Sequence, residues 1–244
     1  MKKPTGILPK DDILGQALMH YYLNETEETL TVRTNKSEDE VYTLSYFFRD
    51  LRSMPILEKE ALKLVYGRVL DVGAGTGIHS LALQKLGFDV MALEISHLCN
   101  CIMQGRGVKN VRCANFFKLT HERFDTLLFL MNGIGLVEKF RNFNYFFKKC
   151  RQLLNPGGQI IFDSSDIIYL FEEEDGSFLI ELDDKYYGEV EFQVEFQGKK
   201  SKTFPWIFID FDNFQDLAQQ NGFKAELIMQ GGHYDYLAKA TLID

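Results

Sequence analysis

The sequence lacks a surplus of positive charge. Its 244 residues carry 27 Lys and Arg against 35 Asp and Glu, a net charge of -8. Neutralising a phosphate backbone needs clustered cations, so nucleic acid is not an expected partner. The densest basic patch, Lys199-Lys200-Ser201-Lys202, has the look of a hairpin turn. No long hydrophobic run is present either. The most apolar segment, Leu127 to Val137, is interrupted by Asn132, Gly133 and Gly135 and is far shorter than a membrane span, so no membrane partner is expected. The opening MKKPTGILPK has two lysines but no apolar stretch behind them, which argues against a secretory signal. Cysteine is scarce and unpatterned: Cys99, Cys101, Cys113 and Cys150 form no CxxC pair, so no metal site is expected. They read as reduced, packed thiols of a cytoplasmic protein.

What is present is ordinary globular material, 45% hydrophobic and 25% charged. The length suits one large α/β domain or a core with an insertion. Four regions separate by pattern. Residues 1–65 form an N-terminal extension with two helical pieces, one capped at Asp11 or Asp12 and running to Leu23, the other over Leu57 to Val65. Between them Thr29 to Arg33 suits a strand and Asn35 to Glu40 a polar loop.

Residues 66–165 alternate short apolar runs with helical spacing. Strands are expected at Arg68–Val72, Val90–Glu94, Val111–Ala114, Thr126–Met131 and Gln159–Asp163, with a turn at Asn155-Pro156-Gly157-Gly158. Continuous apolar strands separated by helices imply a parallel sheet covered on both faces. Residues 166–210 break the rhythm with an acidic loop at 172–175 and a clean alternation over Gly188–Gln197, returning through Thr203–Ile209 as a hairpin. Residues 211–244 end the core with a helix capped by Asp212 and two strands joined at Gly231-Gly232.

The first core strand runs into VLDVGAGTGIHS, with Gly73, Gly75 and Gly77 on alternate positions. In an open parallel sheet, ligands bind outside the carboxyl ends of the strands, at the switch point beside this strand. Glycines there let a ligand reach the backbone. Two ligand classes use such a loop. Dinucleotide enzymes space their glycines G-x-G-x-x-G, whereas Ile78 stands where their third glycine belongs. An acidic residue ending the second strand serves ribose hydroxyls in both classes, and Glu94 is that residue.

VLDVGAGTG, then Glu94, then FDTLLFL with Asn132, then LLNPGGQIIF, in that order, resembles the class I S-adenosylmethionine-dependent methyltransferases over about residues 65–165. The resemblance implies a Rossmann-like α/β fold: a doubly wound, mostly parallel seven-stranded sheet whose last strand inserts antiparallel between its neighbours. A terminal hairpin from Lys224 to Leu242 supplies that ending, which a nicotinamide oxidoreductase gives no reason for.

S-adenosylmethionine is then the expected cofactor and S-adenosylhomocysteine its product. The resemblance implies that Asp71 and the Gly73-Ala74-Gly75 backbone, with Gly77, hold the methionine end. Glu94 takes the ribose hydroxyls, and Ile95 packs on the adenine. Asn115, beside Phe116, stands where the family usually has an acid for the adenine amine.

Methyl transfer is an in-line displacement on a carbon activated by its sulfonium, so no catalytic residue is obligatory. The expected reaction is transfer to O or N of a small-molecule acceptor. The alternative is a catalytically silent cofactor-binding protein with a regulatory or scaffolding role. Asn132, at the end of the fourth strand, suits the cofactor's methionine end or the substrate; the sequence Asn132-Gly133-Ile134-Gly135 lacks the prolines and aromatic of an amine-steering motif. His233, at the last turn, is a candidate general base near neutral pH, with Tyr234 and Tyr236 expected on one strand face. Asp166 or Ser165 suits a helix cap, and His79 structural packing. The apolar face of 190–196, with Trp206 and Phe208, suits a pocket cap or a homodimer contact. Tyr46, Phe47, Phe48 and Arg49 suit the opposite wall.

Overall fold

Asp12 opens the first helix, α1 (Ile13–Asn24), by accepting from the Gly15 amide at 2.8 Å. Strands β1 (Thr29–Thr34) and β2 (Glu40–Thr43) follow, then a 3₁₀ turn at Leu44–Phe48 and α2 (Ile56–Leu64). The alternating unit then runs β3 (Arg68–Val72), α3 (Ile78–Lys85), β4 (Asp89–Glu94), α4 (His97–Gly105), β5 (Val111–Cys113), β6 (Phe124–Phe129), α5 (Phe143–Leu153) and β7 (Leu154–Ser165). After it come β8 (Glu189–Phe196), β9 (Lys199–Lys200), β10 (Phe204–Ile207), α6 (Phe211–Gln220), β11 (Phe223–Gln230) and β12 (Asp235–Leu242). The structure, a computed structural model, describes residues 7, 9–173, 175, 177 and 185–243. Residues 1–6 and 8 of the lysine-bearing start and Glu174 of the acidic loop lie outside the described residues.

The core is a seven-stranded sheet in the order β11-β12-β7-β6-β3-β4-β5. Strands β3 to β7 pair in parallel, and β12 lies antiparallel between β7 and β11. The expected ending is therefore present. Alternation decides which helices each residue meets. Leu70, Ile160 and Phe162 pack with Phe143, Phe146 and Phe147 of α5 and Phe214 of α6. Val69, Leu128 and Ile161 pack with Leu57 and Ala61 of α2 and Leu83 of α3 on the other face. Asp71 and Asp163, two residues after Val69 and Ile161, follow them onto the α2–α3 face.

Two local expectations are corrected. The helix at 211 is capped by Asp210, which accepts from the Asn213 amide at 2.9 Å, not by Asp212. Helix α3 begins at Ile78 with Gly77 as its cap. Asn155–Gly158, expected as a plain turn, is a bulged excursion inside β7: Leu154 pairs with Phe124, and the register resumes at Gln159 opposite Thr126.

A second antiparallel sheet, β10-β8-β1-β2 with β9 at the end of β8, joins the N-terminal extension to the 166–210 insertion. Val194 and Phe196 pack on Ile13, Ala17 and Leu18 of α1 and on Ile102 of α4. The apolar face of β8 is thus taken up within the chain. Trp206, the one tryptophan, lies against Gly135 in the turn after β6, where a Cβ would overlap the indole. Gly135→Val should displace the ring at a cost of about 1–3 kcal/mol. A red-shifted Trp206 emission with a lowered Tm is expected, and unchanged emission would contradict this packing.

Candidate functional site

Gly73, Gly75 and Gly77 all have positive φ (73°, 53° and 83°) but serve two different purposes. A Cβ on Gly73 would meet no atom within 4 Å, and one on Gly75 only the Gly73 carbonyl oxygen at 4.0 Å. Both look onto open space. A Cβ on Gly77 would stand 2.9 Å from Met103 and from Val108, so that glycine lets α4 pack. The loop's amides are spent on β4: Gly73 and Ala74 donate to the Leu93 carbonyl at 2.9 and 3.1 Å, and Gly75 donates to Glu94 Oε2 at 2.9 Å. What the loop offers a ligand is its bare surface and its carbonyls.

Glu94 closes the site on the β4 side. Its Oε1 accepts from the Ser96 amide at 2.8 Å, so each oxygen holds one N–H and keeps lone-pair capacity for a further donor. Burial pushes this carboxyl up, against the lowering effect of its amide donors. Ser96 also donates to Asp12 and caps α4 through the Cys99 amide at 2.9 Å. The N-terminal extension is thereby anchored at the end of β4, and the Ile7 amide adds a bond to the Ile95 carbonyl at 3.0 Å.

Ile95 is 37% exposed, an apolar surface beside the Glu94 carboxylate. Asn115 caps the Phe116–Lys118 turn, accepting from the Phe117 amide at 2.9 Å through Oδ1, the oxygen expected to meet adenine. Phe116 turns its ring into the core against Phe129 and Phe146, leaving only its backbone for the site.

Beneath the loop lies a polar network that sequence reasoning missed. Asp71 is buried and accepts from Ser80 Oγ at 2.6 Å and from the Ser80 amide, which fixes the first turn of α3. Burial raises its pKa. It supports the loop from below. Glu58 of α2 binds Arg49 through one oxygen and His79 Nε2 through the other, at 2.8 Å. Burial raises the Glu58 pKa, but His79 and Arg49 outweigh it and the net shift is downward. His79 is thus structural, as expected. The Arg49 guanidinium lies 3.9 Å over the Tyr46 ring, and its Nε is buried with no hydrogen-bond partner among the described residues. Thr76 donates to the Phe47 carbonyl, and Arg106 binds the Thr76 carbonyl at 2.8 Å and the Phe48 carbonyl at 3.3 Å. These bonds strap the 44–49 segment to the loop.

Asn132, at φ 55°, donates its amide to Asp163 Oδ1 at 3.0 Å, and its own Oδ1 accepts from Ser165 at 3.5 Å. Asp163 is half-buried. Desolvation pushes its pKa up to about 7, against the lowering effect of the Asn132 amide. A carboxyl raised in the fold stabilises it below the ordinary carboxylate pKa and loses that contribution as pH rises through about 7. Asp163→Asn should therefore raise Tm at pH 8 relative to wild type, by about 2–4 °C per kcal/mol, and change it little at pH 4. An equal shift at both pH values would contradict the assignment. The signal available in sequence was an aspartate ending the apolar run IIFD on the same face as Asp71.

His233 stands exposed in the β11–β12 turn, on the carboxyl-end side of the parallel strands. Its ring packs edge-on against Tyr169 at 4.8 Å. Tyr234 is off the strand at φ 55° and stacks on Tyr169 at 5.1 Å. Tyr236 points into the core, its hydroxyl donating to the Ile209 carbonyl at 2.5 Å, so the two tyrosines do not share a strand face. Asp166 caps the 167–171 turn through the Ile168 amide at 2.9 Å, as expected.

These residues fit a nucleoside carrying an amino-acid tail. The open cradle at Gly73 and Gly75 ends at a buried carboxylate whose two oxygens each keep acceptor capacity, the set of groups a ribose diol and an adjoining chain call for. Among the described residues no group of His, Cys, Asp and Glu could hold a metal ion, and no helix is long and apolar enough to cross a membrane.

A sequence-family profile described as a methyltransferase domain matches residues 43–228. No curated protein sequence matches the chain. Among solved structures, a SAM-dependent methyltransferase from Bacteroides fragilis, in complex with S-adenosyl-L-homocysteine, is 42% identical, covers 98% of this chain and 99% of its own, and superposes with a TM-score of 0.90. The sugar N-methyltransferase KedS8 from a Streptoalloteichus species is 13% identical over 81% of this chain and 88% of its own, with a TM-score of 0.53. The amino pentose methyltransferase CalS10 from Micromonospora echinaspora is 15% identical over 78% and 93%, at 0.52. At that identity the last two share the fold alone.

Proposed function

Because the chain belongs to the class I S-adenosylmethionine-dependent methyltransferases, we propose that it transfers the methyl group to an oxygen or nitrogen of a small-molecule acceptor. The observation that carries this is the open cradle at Gly73 and Gly75 stitched to the Glu94 carboxylate at the switch point of the sheet. S-adenosylmethionine supplies a methyl already activated by its sulfonium, so the protein's part is binding, alignment and exclusion of water.

In this proposal Glu94 accepts from the ribose hydroxyls and Ile95 flanks the adenine. The Gly73 region, with Asn132, accepts from the methionine ammonium, and Arg49 donates to the carboxylate. The second sheet, strapped to the loop through Thr76 and Arg106, covers the acceptor side with the aromatic 42–48 segment. An acidic surface and an aromatic mouth favour a small molecule over a polymer. His233, in the exposed β11–β12 turn, is the candidate base for an acceptor proton.

Formation of S-adenosylhomocysteine from S-adenosylmethionine, followed across small amines, phenols and alcohols, tests the proposal. Turnover with at least one class is expected. Binding of the cofactor without turnover on any of them would favour a silent cofactor-binding protein instead.

A further inference from the structure

We infer that Asp12, in the N-terminal extension, is a positioning residue for the nucleoside end of the cofactor: acting through Ser96, it holds the Glu94 carboxylate in the orientation a ribose diol requires. The inference rests on the reading of Glu94 above and extends the site to a helix outside the alternating core.

Asp12, Ser96 and Glu94 are all buried, at 4%, 5% and 8% exposure, and they are linked in series. Ser96 Oγ donates to Asp12 Oδ2, and the Ser96 amide donates to Glu94 Oε1 at 2.8 Å. The Ser96 hydroxyl also accepts from the Cys99 amide at 2.9 Å, so its residue is pinned between α1 and α4 at φ -73° and ψ 122°. That backbone sets the direction of the N–H on which Oε1 rests. Oε2 is set separately, by the Gly75 amide at 2.9 Å. A carboxylate fixed from two elements offers a diol two acceptors at two defined points.

Helix α1 is fitted to this task at both ends. A Cβ on Gly15 would overlap the Asp12 carboxylate, so this glycine, a poor helix former in the first turn of a helix, is what admits the carboxylate. At the far end a Cβ on Gly105, the last residue of α4, would overlap the Tyr22 hydroxyl. Between these points Ile13, Ala17 and Leu18 pack with Cys99 and Ile102, so α1 lies along α4 with its start over Ser96. Tyr22 stacks on Phe48 at 6.5 Å, and Arg106 joins the Phe48 carbonyl to the Thr76 carbonyl of the glycine loop. The same helix therefore braces the Glu94 end of the cradle through Asp12 and the glycine-loop end through Phe48 and Arg106.

Charge alone points the other way. Burial is the main cause of the upward push on the Glu94 carboxyl, and the Asp12 charge adds a little to it. Were the two carboxylates coupled only through their fields, removing the Asp12 charge would favour ionised Glu94 and tighten binding. The Ser96 amide weighs more on Glu94 than the Asp12 charge does, so the hydrogen-bonded series governs. Its removal weakens binding, and does so through the diol. The sign of the effect separates the two.

The test titrates wild type, Asp12→Asn and Gly15→Ala calorimetrically with S-adenosylhomocysteine and with its 2′,3′-dideoxy analogue, at a temperature where every variant is folded. Asparagine at the cap still accepts from the Gly15 amide, so α1 persists while the anionic acceptor for Ser96 is gone. Wild type should prefer the diol-bearing ligand at least about 100-fold, from two hydrogen bonds to a carboxylate. Asp12→Asn should cut that preference at least about fivefold and bind the dideoxy analogue within about twofold of wild type. Gly15→Ala displaces the Asp12 carboxylate while improving helix propensity, and should have the same effect. A preference unchanged or increased in Asp12→Asn overturns the inference. So does an equal loss of affinity for both ligands, which marks a merely structural role. Absence of any preference in wild type would strike the reading of Glu94 itself, and the inference with it.

Discussion

Glu94→Ala should weaken S-adenosylhomocysteine binding at least about 100-fold. Hydrogen bonds to a charged group contribute roughly 1.5–3 kcal/mol each, and a ribose diol makes two, so the loss is about 3–6 kcal/mol. At about 1.4 kcal/mol per tenfold, the lower bound is two decades. The carboxylate has a second role that makes the variant doubly informative. It accepts from the Gly75 and Ser96 amides, so its removal leaves both N–H groups without acceptors and loosens the cradle as well. Tm should fall together with affinity. Glu94→Gln keeps one acceptor oxygen and should lie between the two. Calorimetric affinity unchanged in Glu94→Ala would remove Glu94 from the site.

Gly75→Val should abolish binding while the protein stays folded. Nothing in the protein opposes a side chain there, since the nearest atom to a Cβ is the Gly73 oxygen at 4.0 Å. The fold bears only the strain of a branched residue at φ 53°, about 1–2 kcal/mol. The isopropyl group occupies the surface on which the ligand must lie, and affinity should drop below detection. Gly77→Val provides the contrast: its Cβ meets Met103 and Val108 at 2.9 Å, so the fold fails before the site does. Tight binding retained by a folded Gly75→Val would refute the close approach of ligand to backbone.

The two glycines look alike in sequence, and only packing separates them. Glu94 was legible because an acid ending an apolar strand, after a glycine loop, has few structural reasons to be there. The terminal hairpin was legible because Gly231-Gly232 divides two apolar runs of strand length. By contrast, EVYT at 40–43 alternates too briefly to announce β2, and the β8 strand that completes its sheet lies far downstream.

The Arg49–Glu58–His79 network was hidden for a related reason. Its members come from a turn, α2 and α3, and a glutamate on an amphipathic helix reads as solvated until tertiary packing buries it. Asn155-Pro156-Gly157-Gly158 is turn chemistry by composition, yet the neighbouring β6 carries the strand through it as a bulge. Asp163 is expected only as the last residue of the Gln159–Asp163 strand, with no role of its own. The alternation of β7 sends it to the opposite side of the sheet from Ser164, whose hydroxyl accepts from the Ile209 amide at 3.2 Å.

The central claim is that the glycine cradle and Glu94 form a site for S-adenosylmethionine. Isothermal titration of the wild-type protein with S-adenosylhomocysteine, with NADH titrated in parallel, tests it most directly. One site per chain for S-adenosylhomocysteine and no heat from NADH is the predicted result. Saturable binding of NADH with none of S-adenosylhomocysteine would contradict it.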